Sequence, residues 1–149
     1  MHPFIGYKMM IDDTDSLILG KLKQDSRKTI REIAKELDLR PSTVHQRITK
    51  LREEGVIEKF TIKTSNKATS ENFIVLMLVS TEGAIIPDSA FKDNHIKEVF
   101  GVTGEYDLMI KMKFKDVEEF NSFILGFRKK YGLKKTVTMV ATVNLKEEL

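Results

Sequence analysis

Two amphipathic helical patterns lie only three residues apart in this chain, joined by Asp38-Leu39-Arg40, and that spacing leaves them few ways to pack. Thr29 stands as a cap ahead of Ile30, Ile33, Ala34 and Leu37, with Glu32 three residues on, the pattern of a capping box. Pro41 sets the backbone angle for the next helix and Ser42 is placed to cap it, after which Val44, Ile48 and Leu51 recur along one face. The short connection is that of a helix-turn-helix. An earlier helical pattern, capped by Asp13 or Thr14, turns Leu17, Ile18 and Leu22 toward the same core and makes three helices. Glu54-Gly55-Val56-Ile57 then ends the last helix at a glycine and leads into alternating Phe60 and Ile62, a small wing.

The stretch Arg40 to Arg52 carries four positive charges, Arg40, Arg47, Lys50 and Arg52, and no acid. Its outward side chains are hydrogen-bonding groups suited to phosphates and base edges, so the expected contacts with duplex DNA are Arg40, Ser42, Thr43, His45, Gln46, Arg47, Lys50 and Arg52. Residues 1 to 63 hold 13 Lys plus Arg against 10 Asp plus Glu, or +3, whereas residues 64 to 149 hold 12 against 12, or 0. All of the net positive charge therefore sits in the half with the basic helix, the asymmetry that a polyanionic partner requires. The plain alternative is a three-helix bundle that only packs or dimerises, and the clustering of charge weighs against it.

The chain divides into an arm at residues 1 to 9, a helix-turn-helix domain at 10 to 63, a polar linker at 64 to 71 and a second domain at 72 to 149. Phe73 to Val79 is a nearly continuous apolar run of strand length. Pro87 to about Asn94 has room for a short helix. Ile96 to Thr103 and Tyr106 to Phe114 read as a hairpin around Gly104-Glu105, with Leu108, Ile110, Met112 and Phe114 on one face. Asp116 caps a helix carrying Val117, Phe120, Phe123, Ile124 and Phe127, which ends near Gly132, and a last strand runs from Thr136 to Val143. The order strand, helix, strand, strand, helix, strand predicts a ferredoxin-like βαββαβ sheet with both helices on one side, and an α+β fold for the whole chain. Both faces of the first strand are apolar, so a second copy of the sheet is expected to cover the free face in a homodimer.

The absence of cysteine excludes disulfides, thiolate metal sites and cysteine nucleophiles, and suits the cytoplasm. No apolar run approaches the roughly 20 residues that span a bilayer, so no membrane partner is expected. The opening Met1 to Met9 lacks the pattern of a secretory signal, and Met10 is an alternative start of the folded part. The three histidines, His2, His45 and His95, are scattered, and Gly101-Val102-Thr103-Gly104 lacks the lysine and helix of a phosphate-binding loop. Neither an enzyme nor a metal or resident cofactor is expected.

Taken together these parts resemble the Lrp/AsnC family, the leucine-responsive or feast/famine regulators of bacteria and archaea. The resemblance rests on Asp12 to Leu19, Ile33-Ala34-Lys35-Glu36-Leu37, Pro41-Ser42-Thr43-Val44 with Arg47-Ile48 and Leu51, Glu54-Gly55-Val56-Ile57, and Gly104-Glu105-Tyr106-Asp107-Leu108. It implies a transcription regulator with a winged helix-turn-helix domain and a ferredoxin-like RAM domain, dimers that assemble into tetramers or octamers, and an amino-acid effector. The family's effector loop maps onto Gly104, Glu105, Tyr106 and Asp107, with Thr138 on the last strand as a further contact. The abundance of lysine, glutamate and isoleucine fits a thermophilic, archaeal member. Two departures stand out: Ser80 to His95 leaves little room for the module's first helix, and the linker lacks the usual apolar turn. The competing function is an architectural DNA-binding protein with little sequence preference.

Overall fold

The computed structural model describes residues 11 to 147 apart from Ala84, so the arm expected at residues 1 to 9 lies outside the described residues. Two compact units divide at Ile62 and Lys63, each with its own core.

The first unit holds α1 (Asp13–Gln24), α2 (Ile30–Glu36) and α3 (Pro41–Glu53). The cap of α1 lies one residue before Asp13 and two before Thr14, the two positions expected for it. Asp12 is the N-cap, accepting from the Asp15 N–H at 2.8 Å, while the Asp15 carboxylate reaches back to the Asp12 N–H. Ile18 and Leu22 fall on the buried stripe with Asp15, and Leu17, a step of about 100° around the helix, is 56% exposed instead of buried. The expected capping box of α2 is present, with Thr29 Oγ1 accepting from the Glu32 N–H at 3.2 Å. α2 ends in a tight reversal: Asp38 takes a left-handed φ of 53°, and the Leu39 N–H donates to the Ala34 carbonyl at 2.8 Å. That 6→1 bond turns Leu39 onto the core, so the three connecting residues are a Schellman closure that starts the next helix at once. Pro41 occupies the first helical position of α3, which moves the cap to Arg40, and Ser42 is not the cap. Ile33, Ala34 and Val44 join Ile18 and Leu22 in the core. Gly55 ends the unit's last helix with φ 73° and the Ile57 N–H donates to Leu51 at 3.0 Å. The wing expected at Phe60 and Ile62 is not a paired hairpin, because residues 58 to 64 carry no strand and the two side chains are exposed.

The second unit contains β1 (Phe73–Ser80), a 3-10 turn (Asp88–Lys92), β2 (Ile96–Gly101), β3 (Leu108–Phe114), α4 (Val117–Tyr131) and β4 (Lys135–Val140). The antiparallel sheet has the order β2-β3-β1-β4. Val75, Met77 and Val79 of β1 and Ile110, Met112 and Phe114 of β3 are fully or almost fully buried beneath Phe120, Ile124 and Phe127 of α4. Each such side chain contributes roughly 1.5–3 kcal/mol of transfer free energy. Asp116 caps α4 through the Glu119 N–H, and Gly132 closes it at φ 63°. The expected first helix of this module is only the five-residue 3-10 turn, so a single α-helix covers the sheet. Gly126 sits inside α4, where a Cβ would meet nothing within 4 Å. Gly126→Ala should therefore stabilise the second unit by about 1 kcal/mol, read as a raised melting midpoint.

On the face away from α4, Phe100, Met109, Leu78 and Val137 align in one row across the strands, and Leu76 and Met139 lie in the next. Lys111 and Lys113 of β3 share this face and are met by Glu147 at 2.7 and 3.0 Å. The stretch expected as a linker is not loose. Residues 65 to 71 form a turn in which Asn66 bonds both Lys113 and Glu147 and Glu71 pairs with Lys97. Although burial alone would push the Glu147 carboxyl up, Lys111, Asn66 and Lys113 hold it at about 2, against an ordinary 4.5. Because the folded value is depressed, this stability is present above about pH 4.5 and is lost as pH falls toward 2. Glu147→Gln should thus be less stable than wild type at neutral pH, and the gap should close across that window. An equal gap at pH 2 and pH 7 would contradict the assignment.

Candidate nucleic-acid interface and effector loop

The solvent face of α3 follows from its core face. With Val44, Ile48 and Leu51 turned inward, helical spacing leaves Ser42, Gln46, Thr49 and Lys50 outward, flanked by His45 and Arg52. Arg40 is exposed at the helix start, where no side chain caps the helix, and Thr43 is half-buried. Pro41 removes one amide donor, and the first turn contains no acid. The exposed side chains thus combine a hydroxyl and an amide on the helix axis with cations to either side. Thr49 was not among the expected contacts, although the 42, 46, 49 spacing places it on the same stripe. Lys50 Nζ lies 3.8 Å from Glu54 Oε1, a long surface pair that leaves the ammonium accessible.

Arg47 departs from the expectation. Its Nη1 donates to Asp12 Oδ2 at 2.6 Å and to Asp15 Oδ1 at 2.8 Å, tying α3 to the cap of α1. The Asp15 side chain is only 7% exposed, so its oxygen depends on this partner. The Asp12 carboxyl is held below its usual range first by the Arg47 guanidinium and then by the Asp15 N–H. The same two carboxylates raise Arg47. Arg47 is therefore a brace between helices and is drawn away from the outward set. Spacing alone could not show this, since it identifies the face of a helix and not the partner across from it.

The loop from Val102 to Asp107 joins β2 and β3, and both strands are shorter than expected, although the backbone of Asp107 still bonds to both neighbouring strands. Its N–H donates to the Val79 carbonyl and its carbonyl accepts from the Val102 N–H, both at 2.9 Å. Its Oδ2 accepts from the Thr81 N–H at 2.6 Å and from Thr81 Oγ1 at 2.9 Å, which lowers the carboxyl below its ordinary value, the amide bond first. Gly104 holds φ 126°. Glu105 pairs with Lys135 Nζ at 2.9 Å, and the same ammonium stands 5.5 Å from the Tyr106 ring centroid. Glu105, Tyr106, Asp107 and the unexpected Lys135 and Thr81 are thus gathered around one loop. Thr138 is not gathered with them: it pairs with Met77, two residues along β4 from Thr136, which pairs with Val79 at the loop end. Among the described residues no group of three or more His, Asp or Glu is arranged to hold a metal, and no helix is long and apolar enough to cross a membrane.

Residues 11 to 58 match the family described as winged helix-turn-helix DNA-binding, and residues 92 to 149 match the Lrp/AsnC ligand binding domain. An uncharacterized HTH-type transcriptional regulator of Pyrococcus abyssi is 38% identical over 142 residues, covering 93% of this chain and 97% of that protein. The HTH-type transcriptional regulator FL11 of Pyrococcus furiosus is 35% identical over 134 residues, covering 88% and 89%. Among solved structures, Escherichia coli AsnC superposes with a TM-score of 0.82 at 22% identity, covering 94% of this chain and 97% of that one. The feast or famine regulatory protein of Mycobacterium tuberculosis, complexed with L-methionine, gives 0.82 at 18% identity, covering 92% and 95%. With both halves matched in order and relatives similar over nearly their whole length, the chain belongs to the Lrp/AsnC family of transcriptional regulators.

Proposed function

We propose that this regulator reads duplex DNA with the outer face of α3, using Gln46, Ser42, His45 and Thr43 at base edges and Arg40, Lys50 and Arg52 on phosphates. The observation that carries this is the outward stripe of α3, polar and cationic along its length, with no carboxylate before Glu53. A second copy joins through the open sheet face, where Phe100, Met109, Leu78 and Val137 form a continuous apolar row. Pairing supports function because two recognition helices must lie about 34 Å apart to enter successive major-groove turns. The effector is an amino acid held at the Gly104 to Asp107 loop, where Glu105 and Lys135 supply opposite charges and Tyr106 an apolar wall. L-Methionine, bound by the mycobacterial relative, is the first candidate. Higher assembly of the dimers and a contribution from Thr138, which one chain does not bring to the loop, belong to the same proposal. As a DNA-bound protein without a catalytic role it acts in the cytoplasm.

The test is affinity for the duplex upstream of its own gene against a scrambled duplex, near physiological salt, with and without L-methionine. A preference of about 100-fold, roughly 2.7 kcal/mol, is expected. Gln46→Ala should cost about 1–3 kcal/mol on the operator and nearly nothing on the scrambled duplex. Lys50→Ala should weaken both alike and lower the salt slope by about 1. The competing function is an architectural protein that depends on phosphates and has little sequence preference. Equal and steeply salt-dependent binding to both duplexes would establish that alternative.

A further inference from the structure

A ferredoxin-like sheet calls for two helices over one face, and this chain supplies the 15-residue α4 and, in place of the other, five residues of 3-10 turn. The flank of α4 that a full helix would cover borders a cleft of about 460 Å³, within the size range of small-molecule sites. Its wall is partly aromatic: Phe123 and Tyr131 are half-buried at its edge, and Phe127, 6% exposed, lies behind them. The rings of Phe123 and Phe127 stack at 5.3 Å and 23°, and Tyr131 continues the row 4.9 Å from Phe127. Gly126 opens that wall, since a Cβ there would project into free space. Lys92 and Lys130 stand at the rim, the latter with its ammonium 5.2 Å from the Tyr131 centroid. The one acid of the lining, Asp93, is engaged by the His95 N–H at 2.9 Å and faces the ring Nδ1 at 2.7 Å. The result is a partly apolar wall with two lysines at its edge.

We propose that this cleft is a binding site for an aromatic carboxylate, whose ring lies along Phe123, Gly126 and Tyr131 and whose anion meets Lys92 and Lys130. The site is separate from the loop at Gly104 to Asp107 and does not depend on that loop binding an effector. The glycine has a purpose on this account: it weakens α4, as the expected stabilisation by alanine states, and in exchange leaves room for a ring against the helix.

The experiment is a titration of the full-length, isotope-labelled protein with phenylacetate, followed by the amide signals of Gly126, Lys130 and Tyr131. Saturable shifts with a Kd of about 1 mM are expected, as suits so small a ligand in an open site. Benzyl alcohol and acetate, each carrying half of the recognition, should bind at least about tenfold more weakly. Gly126→Leu, for which the helix has space, should abolish the shifts, and Gly126→Ala should reduce them while raising the melting midpoint. The pair Lys92→Ala with Lys130→Ala should weaken phenylacetate about tenfold and leave benzyl alcohol unchanged. Unsaturated shifts, shifts confined to residues 104 to 107, equal binding of acetate, or undiminished binding by a folded Gly126→Leu protein would each overturn the proposal.

Discussion

A chain carrying Phe114→Ala should lose about 3–5 kcal/mol of stability, and the loss should be confined to the second unit. Phe114 is 1% exposed at the end of β3, and three rings converge on it: His95 stacked at 4.7 Å, Phe120 and Phe123 each at 5.4 Å. Removing its ring leaves a cavity that α4 cannot fill without giving up its own packing on β1 and β3. Because the core of Ile18, Leu22, Ile33, Ala34 and Val44 is built within the first unit, α1, α2 and α3 should keep their amide protection while β1 and β3 lose theirs. Hydrogen exchange resolves the two directly. A loss below 1 kcal/mol, or a parallel loss of protection in α3, would mean that the two cores are not separate stability units.

Arg47→Ala should destabilise the first unit by about 1–3 kcal/mol, the cost of leaving the nearly buried Asp15 oxygen without its strongest partner. Weakened DNA binding should follow as a consequence, because α3 is then no longer tied to α1. The double variant Arg47→Ala with Asp15→Asn removes the stranded charge and should recover part of the stability. A direct base-reading role for Arg47 predicts the opposite combination, with an unchanged melting midpoint, lost operator affinity and no recovery in the double variant. Melting and DNA titration of the three proteins together distinguish the two.

Local chemistry explains why most elements could be anticipated. Thr29 with Glu32, Asp116 with its apolar heptad-like run and Gly132 at the end of α4 are signals whose causes lie within a turn of the backbone, and each is met in the structure. The misplacements are small where a neighbouring residue competes, as at Pro41, which moves the cap from Ser42 to Arg40, and at Asp12, which takes the cap from Asp13. The larger differences concern contacts distant in sequence. Arg47 has the composition of a DNA contact and the geometry of a brace because its partners lie 35 and 32 residues away. Lys135 joins the loop at Glu105 only because β4 pairs beside β1. Glu147 binds Lys111, Lys113 and Asn66 across gaps that no periodicity spans. The 3-10 turn was foreshadowed by the shortness of Ser80 to His95, but the cleft it opens depends on which side of α4 it leaves bare.

The irregular pairing of β2 with β3 between Ile96 and Glu98 bears on how copies of this chain can meet. An outer strand interrupted there, and bearing Lys97 and Glu98, offers an arriving strand no unbroken row of amides to continue. The far border is a six-residue strand that opens on Lys135 and hands its ladder to a single Ala141 bond. What stays open is the broad side of the sheet. Contact along a border creates a new border and so never exhausts itself, whereas a broad side once covered is used up. The bulge thus steers self-association toward assemblies of finite number and away from fibres.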